Sequence, residues 1–320
     1  MKKLFAILIL LFVSNFAFAD LEAHFLDVGH GDCTIITCDG ESMIIDGGVS
    51  SCSQQVFNYL RNLGITDIKY AVATHPDADH IGGLPAAFHA ANVQTLLSPV
   101  DQHEENRFEV LFKTATEKAV PLVVPKAGEI FSLGNAKITV ISPVIQFADT
   151  NDLSLVLRLD YGDTSFLFTG DASTAVERDL IARKSDLDAD VLKVSHHGSS
   201  TGTSTEFVSA VSPQYAVISC ANMPSIEVLY ALAESSTLIT AQKGSIVIHS
   251  DGISLTARCE KSSSPQTDQF VGNANSKVFH LSICDSVSTM SEKNKRYFDT
   301  IEQAESKGYR PCKNCSPKRN

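Results

Sequence analysis

The chain has 320 residues, 43% hydrophobic and 20% charged, so it is long and apolar enough to bury a large core and is no disordered tract. Its formal charge of -11 excludes binding of polyanions by diffuse attraction to the whole surface.

Lys2 and Lys3 precede the apolar run Leu4 to Val13, and Ala17-Phe18-Ala19 predicts cleavage before Asp20, so residues 1–19 read as a secretory signal peptide. Its apolar core is too short to span a bilayer comfortably, and no later stretch is long and apolar enough to hold the chain in a membrane. The expectation is a periplasmic or secreted protein with no stable membrane insertion after signal removal. Without the two lysines the charge is -13. From Phe270 to Asn320 there are nine Lys or Arg against five Asp or Glu, a balance of +4 that leaves -17 on Asp20 to Gln269. An acidic body is thus followed by a basic tail, which supplies the one salt-sensitive attraction for a polyanion. The run Lys261-Ser262-Ser263-Ser264-Pro265-Gln266 reads as the start of a linker. The expected division is a body over 20–260, a linker over 261–275 and a small module over 276–320.

Along the body, His24 to Thr37 predicts two short strands around a glycine turn, and Ser42 to Gly48 ends a third. Ser53 to Leu63 has helical spacing through Val56, Leu60 and Leu63, after which Ile68 to Thr74 returns to a strand. Directly beyond it, Thr74-His75-Pro76-Asp77-Ala78-Asp79-His80-Ile81-Gly82-Gly83 packs two histidines and two carboxylates into six residues. Imidazole nitrogen and carboxylate oxygen together suit zinc, manganese or iron, so this turn is a candidate metal site. Helical and extended segments then alternate: 86–91, 94–97, 108–119 and 137–141. The second half repeats the pattern with strands over 153–159 and 165–169, a helix over 173–182 and a strand over 191–194. Asp171 and the pair His196-His197 follow two of these strands, as the first ligand set does, which suggests one shared site on a rigid scaffold.

Eight cysteines in an exported chain point to disulfides, but Cys284, Cys312 and Cys315 fall in the tail. The other five are odd in number. Cys38 with Cys52 and Cys220 with Cys259 are the expected pairs, leaving Cys33 buried in a strand. In the tail, His280 and Cys284, then Cys312 and Cys315, have the spacing of a closed tetrahedral zinc site able to hold together a module too small to fold alone. The plainer alternative there is a Cys312–Cys315 disulfide.

Leu26-Asp27-Val28-Gly29-His30-Gly31-Asp32, Ile45-Asp46-Gly47-Gly48, the His75 to His80 block, Thr169-Gly170-Asp171 and His196-His197-Gly198-Ser199 together resemble the metallo-β-lactamase fold. More narrowly, they resemble the hydrolase domain of ComEC-type proteins of DNA uptake and competence. The resemblance covers roughly Leu21 to Cys259. It implies an α/β fold, a four-layer αββα sandwich with two divalent ions, Zn or Mn, at the sheet edges. His75 and Asp77 would serve one ion, Asp79 and His80 the other, with Asp171 bridging. His196 is the favoured further ligand. His197 is the alternative, either protonating a leaving group or capping Gly198, so Asp79, Asp171 and His197 are the candidate catalytic residues.

This chain departs from the family pattern at three places. Asp77 stands where many members have histidine, no histidine lies between His103 and His196, and Ala221-Asn222-Met223-Pro224-Ser225 lacks the histidine of a late ComEC-like block. Fewer histidines make a harder site, in which manganese competes with zinc. Asp27, Asp32 and Asp46 read as turn formers beside glycines. His24, His89, His103 and His249 read as ordinary structural residues, as does His30, which stands where relatives usually have glutamine. The segment from Lys277 to Cys315 resembles the metal-binding domain of Ada, with His280 in place of the first of four cysteines and one structural zinc implied. The expected function is a secreted phosphodiesterase or nuclease whose substrate is DNA. The alternatives are a metallo-hydrolase of another ester, such as a phosphocholine ester or lactone, and a catalytically weak DNA-binding scaffold. β-Lactam hydrolysis fits least, because the mid-chain histidine is missing.

Overall fold

Period-two alternation along the strands builds the layers. In the strand Thr34–Cys38, Ile36 and Cys38 face one way and Ile35 the other; in Thr164–Phe168, Phe166 and Phe168 face away from Leu167. A computed structural model describes residues 20–143, 149–261, 270–281, 284–298, 300–313 and 315. The predicted signal segment and most of the predicted linker lie outside them.

The first sheet has eight strands, in the order Leu255–Cys259, Ile246–Ser250, Leu21–Phe25, Thr34–Cys38, Glu41–Ile45, Asp67–Val72, Asn92–Leu97 and Leu122–Val123. The second has seven: Ser236–Ile239, Tyr215–Ile218, Val191–Lys193, Thr164–Phe168, Val156–Tyr161, Ala136–Ser142 and Ile130–Leu133. Leu21, Ile36 and Val72 from one sheet meet Ile138, Leu157 and Phe166 from the other in a core that excludes water. Each such large side chain contributes on the order of 1.5–3 kcal/mol by burial. On the outer face of the first sheet lie the helices Ser53–Asn62, Pro85–Ala90 and Asn106–Glu117; on that of the second, Thr174–Ala182, Thr205–Val211 and Ile226–Ala231. This is the four-layer αββα sandwich.

Both sheets change from antiparallel to parallel pairing partway across. Glu41–Ile45 pairs antiparallel with Thr34–Cys38 and parallel with Asp67–Val72. Thr164–Phe168 pairs antiparallel with Val156–Tyr161 and parallel with Val191–Lys193. Parallel neighbours bring their carboxyl ends to one edge, and the switch in strand direction opens a crevice there. A third sheet, of four strands, lies beyond the body: Lys295–Phe298, Phe270–Asn273, Val278–Leu281 and Arg310–Pro311.

Two expectations are corrected. Among the described residues, no disulfide joins any of the eight cysteines. Cys38 lies in the core between the sheets while Cys52 packs on the helix side of the first, so a sheet separates that pair. Cys220 is likewise on the helix side of the second sheet and Cys259 against the inter-sheet core. The strand expected from Leu153 starts later, at Val156, because Asn151–Leu153 forms a short 3-10 turn and the Leu155 amide crosses to the other sheet to bond the Thr74 carbonyl at 2.9 Å.

Candidate metal centre

After the strand Asp67–Val72, Pro76 stops extended pairing and Asp77 takes the N-cap place of the short helix Ala78–Ile81. Its side chain makes no capping bond, which leaves its carboxylate to other partners. The turn is pressed onto the preceding loop: a Cβ at Gly83 would stand 2.0 Å from the Gly47 carbonyl oxygen, an approach only glycine allows. On the other sheet, Asp171 follows Thr164–Phe168, its amide bonded to Ser154 Oγ at 3.0 Å. His196 and His197 follow Val191–Lys193 with φ of 47° and 53°. Two consecutive non-glycine residues in the left-handed region carry backbone strain, which such sites hold because it aims side chains.

The candidate donors meet at Asp171. Its Oδ2 is 4.0 Å from His75 Nε2, 3.5 Å from His197 Nε2 and 3.7 Å from His196 Nε2, and its Oδ1 is 3.2 Å from His80 Nε2. His75 Nε2 is also 3.7 Å from Asp77 Oδ2, and His197 Nε2 is 3.3 Å from Asp79 Oδ2. Among the described residues, donor atoms of Asp32, His80, Asp171 and His197 lie within 4.8 Å of one another, as do those of His30, Asp79 and His197. Both final histidines reach Asp171, but His197 is buried and His196 keeps 30% of its side chain exposed. His24, His89, His103 and His249 belong to neither group.

Three residues that the sequence presented as turn or ordinary structural positions belong to this site. Asp46 is fully buried, accepts from the Thr74 amide and hydroxyl at 2.8 and 2.7 Å, and faces His80 Nδ1 at 2.8 Å. Asp32 is buried between Lys193 Nζ at 2.6 Å and His197 Nδ1 at 3.3 Å. His30 reaches Asp79. Asp27 does act in its turn, accepting from the Gly29 amide. Asp32 and Asp46 are buried, and only their contacts with distant segments could have revealed them.

These partners set the imidazole tautomers. His80 Nδ1 donates to Asp46 and His197 Nδ1 to the Ser219 carbonyl at 3.0 Å, which turns both Nε2 atoms inward, 3.3 Å apart. In their neutral forms these rings face by their lone pairs, and a cation between them, whether a proton or a metal ion, relieves the repulsion. Among the described residues, the buried His75 Nε2 has no hydrogen-bond partner. Donors about 3.3 Å apart match the edge of a tetrahedron with zinc–nitrogen bonds of about 2.0–2.1 Å. On these grounds the residues fit divalent metal.

The pocket favours positive charge. Burial opposes protonation of His80, but Asp171 and Asp46 outweigh it and hold its pKa well above the usual value. Burial opposes it at His197 too, and Asp32 and Asp79 raise that ring to about 9. His75 goes the other way, lowered to about 3 by burial and by His80. Asp171 is held well below the carboxylate range against burial by His80 and His197, and Asp79 goes to about 2 against burial through His197 and His80.

The second cluster lies in the C-terminal sheet. His280, Cys284, Cys312 and Cys315 are all buried with donor atoms within 4.8 Å of one another, and among the described residues His280 Nδ1 has no hydrogen-bond partner. The Cys312 amide bonds the Phe279 carbonyl at 2.8 Å, which brings the second cysteine pair beside the first pair's strand. Burial and the neighbouring Cys284 and Cys312 push the Cys315 thiol up to about 12. Ile226 of the body packs against this cluster.

Residues 26–221 match the metallo-beta-lactamase superfamily, and residues 255–318 match the metal binding domain of Ada. The chain belongs to the metallo-beta-lactamase superfamily. It is 29% identical over 266 residues to ComE operon protein 3 of Bacillus subtilis, covering 75% of this chain and 34% of that protein. To Recombination protein 2 of Haemophilus influenzae it is 32% identical over 201 residues, covering 61% of this chain and 23% of that protein. The chain therefore spans about a third or less of the curated relatives it matches. The metallo-beta-lactamase fold protein YhfI of Bacillus subtilis is similar at a TM-score of 0.49 and 14% identity, covering 72% of this chain and all of that one. Among the described residues, no helix is long and apolar enough to cross a membrane.

Proposed function

We propose that the chain is an exported, metal-dependent phosphodiesterase that cleaves or processes DNA, with the basic C-terminal unit holding the substrate. The observation that carries this reading is Asp171, a buried carboxylate with one oxygen toward His80 and the other toward His75, His196 and His197. A carboxylate so shared suits a pair of cations. His75 and Asp77 would hold one and Asp79, His80 and His197 the other. Divalent ions there would supply the Lewis acidity that phosphoryl displacement uses. The chain's own residues supply orientation. Asp46 and the Ser219 carbonyl lock the rings of His80 and His197, while His196, its Nδ1 2.7 Å from Thr201 Oγ1, faces the open side where a leaving oxygen takes a proton. Support for DNA comes from the competence and recombination names of the relatives and from a +4 tail on a -17 body.

The test is incubation of refolded protein with single- and double-stranded DNA and Mn²⁺ or Zn²⁺. Cleavage is expected, abolished by chelator and reduced at least about a hundredfold in Asp79→Ala, the scale of removing a metal ligand or its support. No cleavage, or cleavage unchanged by Asp79→Ala, overturns the reading.

A further inference from the structure

The turn between the first two strands of the chain points an imidazole at the metal centre. His30 lies between Gly29 and Gly31, whose φ angles are 73° and 126°. A Cβ at Gly31 would stand 2.2 Å from the Asp79 carbonyl oxygen, and that same oxygen accepts from the Asp32 amide at 3.2 Å. The turn is thus fastened to the backbone of Asp79, and His30 is delivered beside that residue's side chain. Its Nε2 is 3.3 Å from Asp79 Oδ2, and its ring centroid is 4.6 Å from that of His197. His197 Nε2 is 3.3 Å from the same Asp79 oxygen, and the donor atoms of all three residues fall within 4.8 Å of one another. Both edges have the length expected between donors on a single ion. An ion pair alone would gain little here, because the His30 side chain is 63% exposed.

We infer that His30 is a ligand to the ion held by Asp79 and His197, closing its coordination on the solvent side. This rests on the two-metal reading of the site above. His80 and His197 are locked by Asp46 and Ser219, whereas His30 comes from an exposed turn and, among the described residues, no second hydrogen bond holds its ring. It is therefore the imidazole with room to withdraw when a substrate oxygen arrives.

The experiment uses the full chain, stripped of metal and reloaded with Co²⁺, followed by equilibrium dialysis and paramagnetic proton NMR. Each imidazole bound to cobalt gives shifted ring resonances, of which the carbon-bound protons do not exchange with water. His30→Gln is the variant, a polar exchange on an exposed turn that leaves the buried core untouched. One set of shifted carbon-bound ring resonances is expected to vanish, and one body ion to bind at least about tenfold more weakly, the lower end for altered metal surroundings. Persistence of every shifted ring resonance in His30→Gln overturns the ligand role and leaves the two-metal reading standing. Cobalt uptake by the C-terminal cluster alone in the unmutated chain overturns both.

Discussion

His280, Cys284, Cys312 and Cys315 are buried alike and offer three soft sulfurs and one nitrogen, whereas the donors around Asp171 run from fully buried His75 and His80 to Asp79 at 24% and His30 at 63% exposure. Four buried donors around one point leave no place for a substrate, and closed sets of this kind hold structure together. Mixed carboxylates and imidazoles that open toward solvent on one side leave positions for reacting groups. The small size of the C-terminal sheet fits the first role: its apolar cluster of Phe270, Phe279, Phe298, Ile301, Ala304 and Tyr309 is slight beside the body's core. The body folds around its own sheets and can afford strain at His196 and His197.

The sharpest way to break this comparison is Cys312→Ser. Binding of a structural zinc is worth on the order of 10 kcal/mol or more, and in so small a unit that is most of the folding free energy. Limited proteolysis is expected to remove the C-terminal unit of the variant while the body keeps its own melting transition. Joint loss of both would mean that one cooperative unit spans the chain.

A smaller effect is expected inside the body at Lys193 and Asp32, a buried pair 2.6 Å apart. Lys193→Met leaves the Asp32 carboxylate buried without its cation and should cost about 3–5 kcal/mol in the metal-stripped protein at neutral pH. Burial opposes the charge on Asp32, but Lys193 and His197 hold its pKa below the usual range. With the folded value below the unfolded one, the contribution is complete above about pH 4 and is lost as the pH falls from there through the folded value. Melting curves of both proteins between pH 6 and 3 check this. A gap between them that does not narrow on acidification would show that the ion pair is not what the variant lost.

The mildest perturbation is Asp46→Asn, which retains shape but weakens the hold on His80 Nδ1. Metal affinity in the body is expected to fall about 10- to 100-fold while the C-terminal ion is untouched. Titration against a chelating dye separates the two classes of site, and equal weakening of both would contradict their independence.

Much of the architecture was legible along the chain because strand alternation and the ligands that follow each strand are local patterns. The donors named from sequence around Asp171 do lie together, since each is delivered by the loop at the carboxyl end of its own strand. Less legible were the residues that orient them. Asp46 touches His80 across 34 positions and Asp32 lies beside His197 far along the chain, so their neighbours, and not their glycine-flanked settings, define what they do. The thiols teach the same lesson, because whether Cys38 can reach Cys52 depends on which face of a sheet each occupies.

The order of strands, helices and polar strand ends, the acidic body with its basic tail, and the two sets of candidate donors were determined by the sequence itself, because each follows from residue type and short-range spacing. Only the tertiary structure decided that His197 is buried while His196 stays partly exposed, that Asp32, Asp46 and His30 join the centre, and that Cys38 is kept from Cys52 and Cys220 from Cys259. Those outcomes depend on how two sheets meet and on backbone angles within single turns, where hydrogen bonds and packing between distant segments outweigh any local preference.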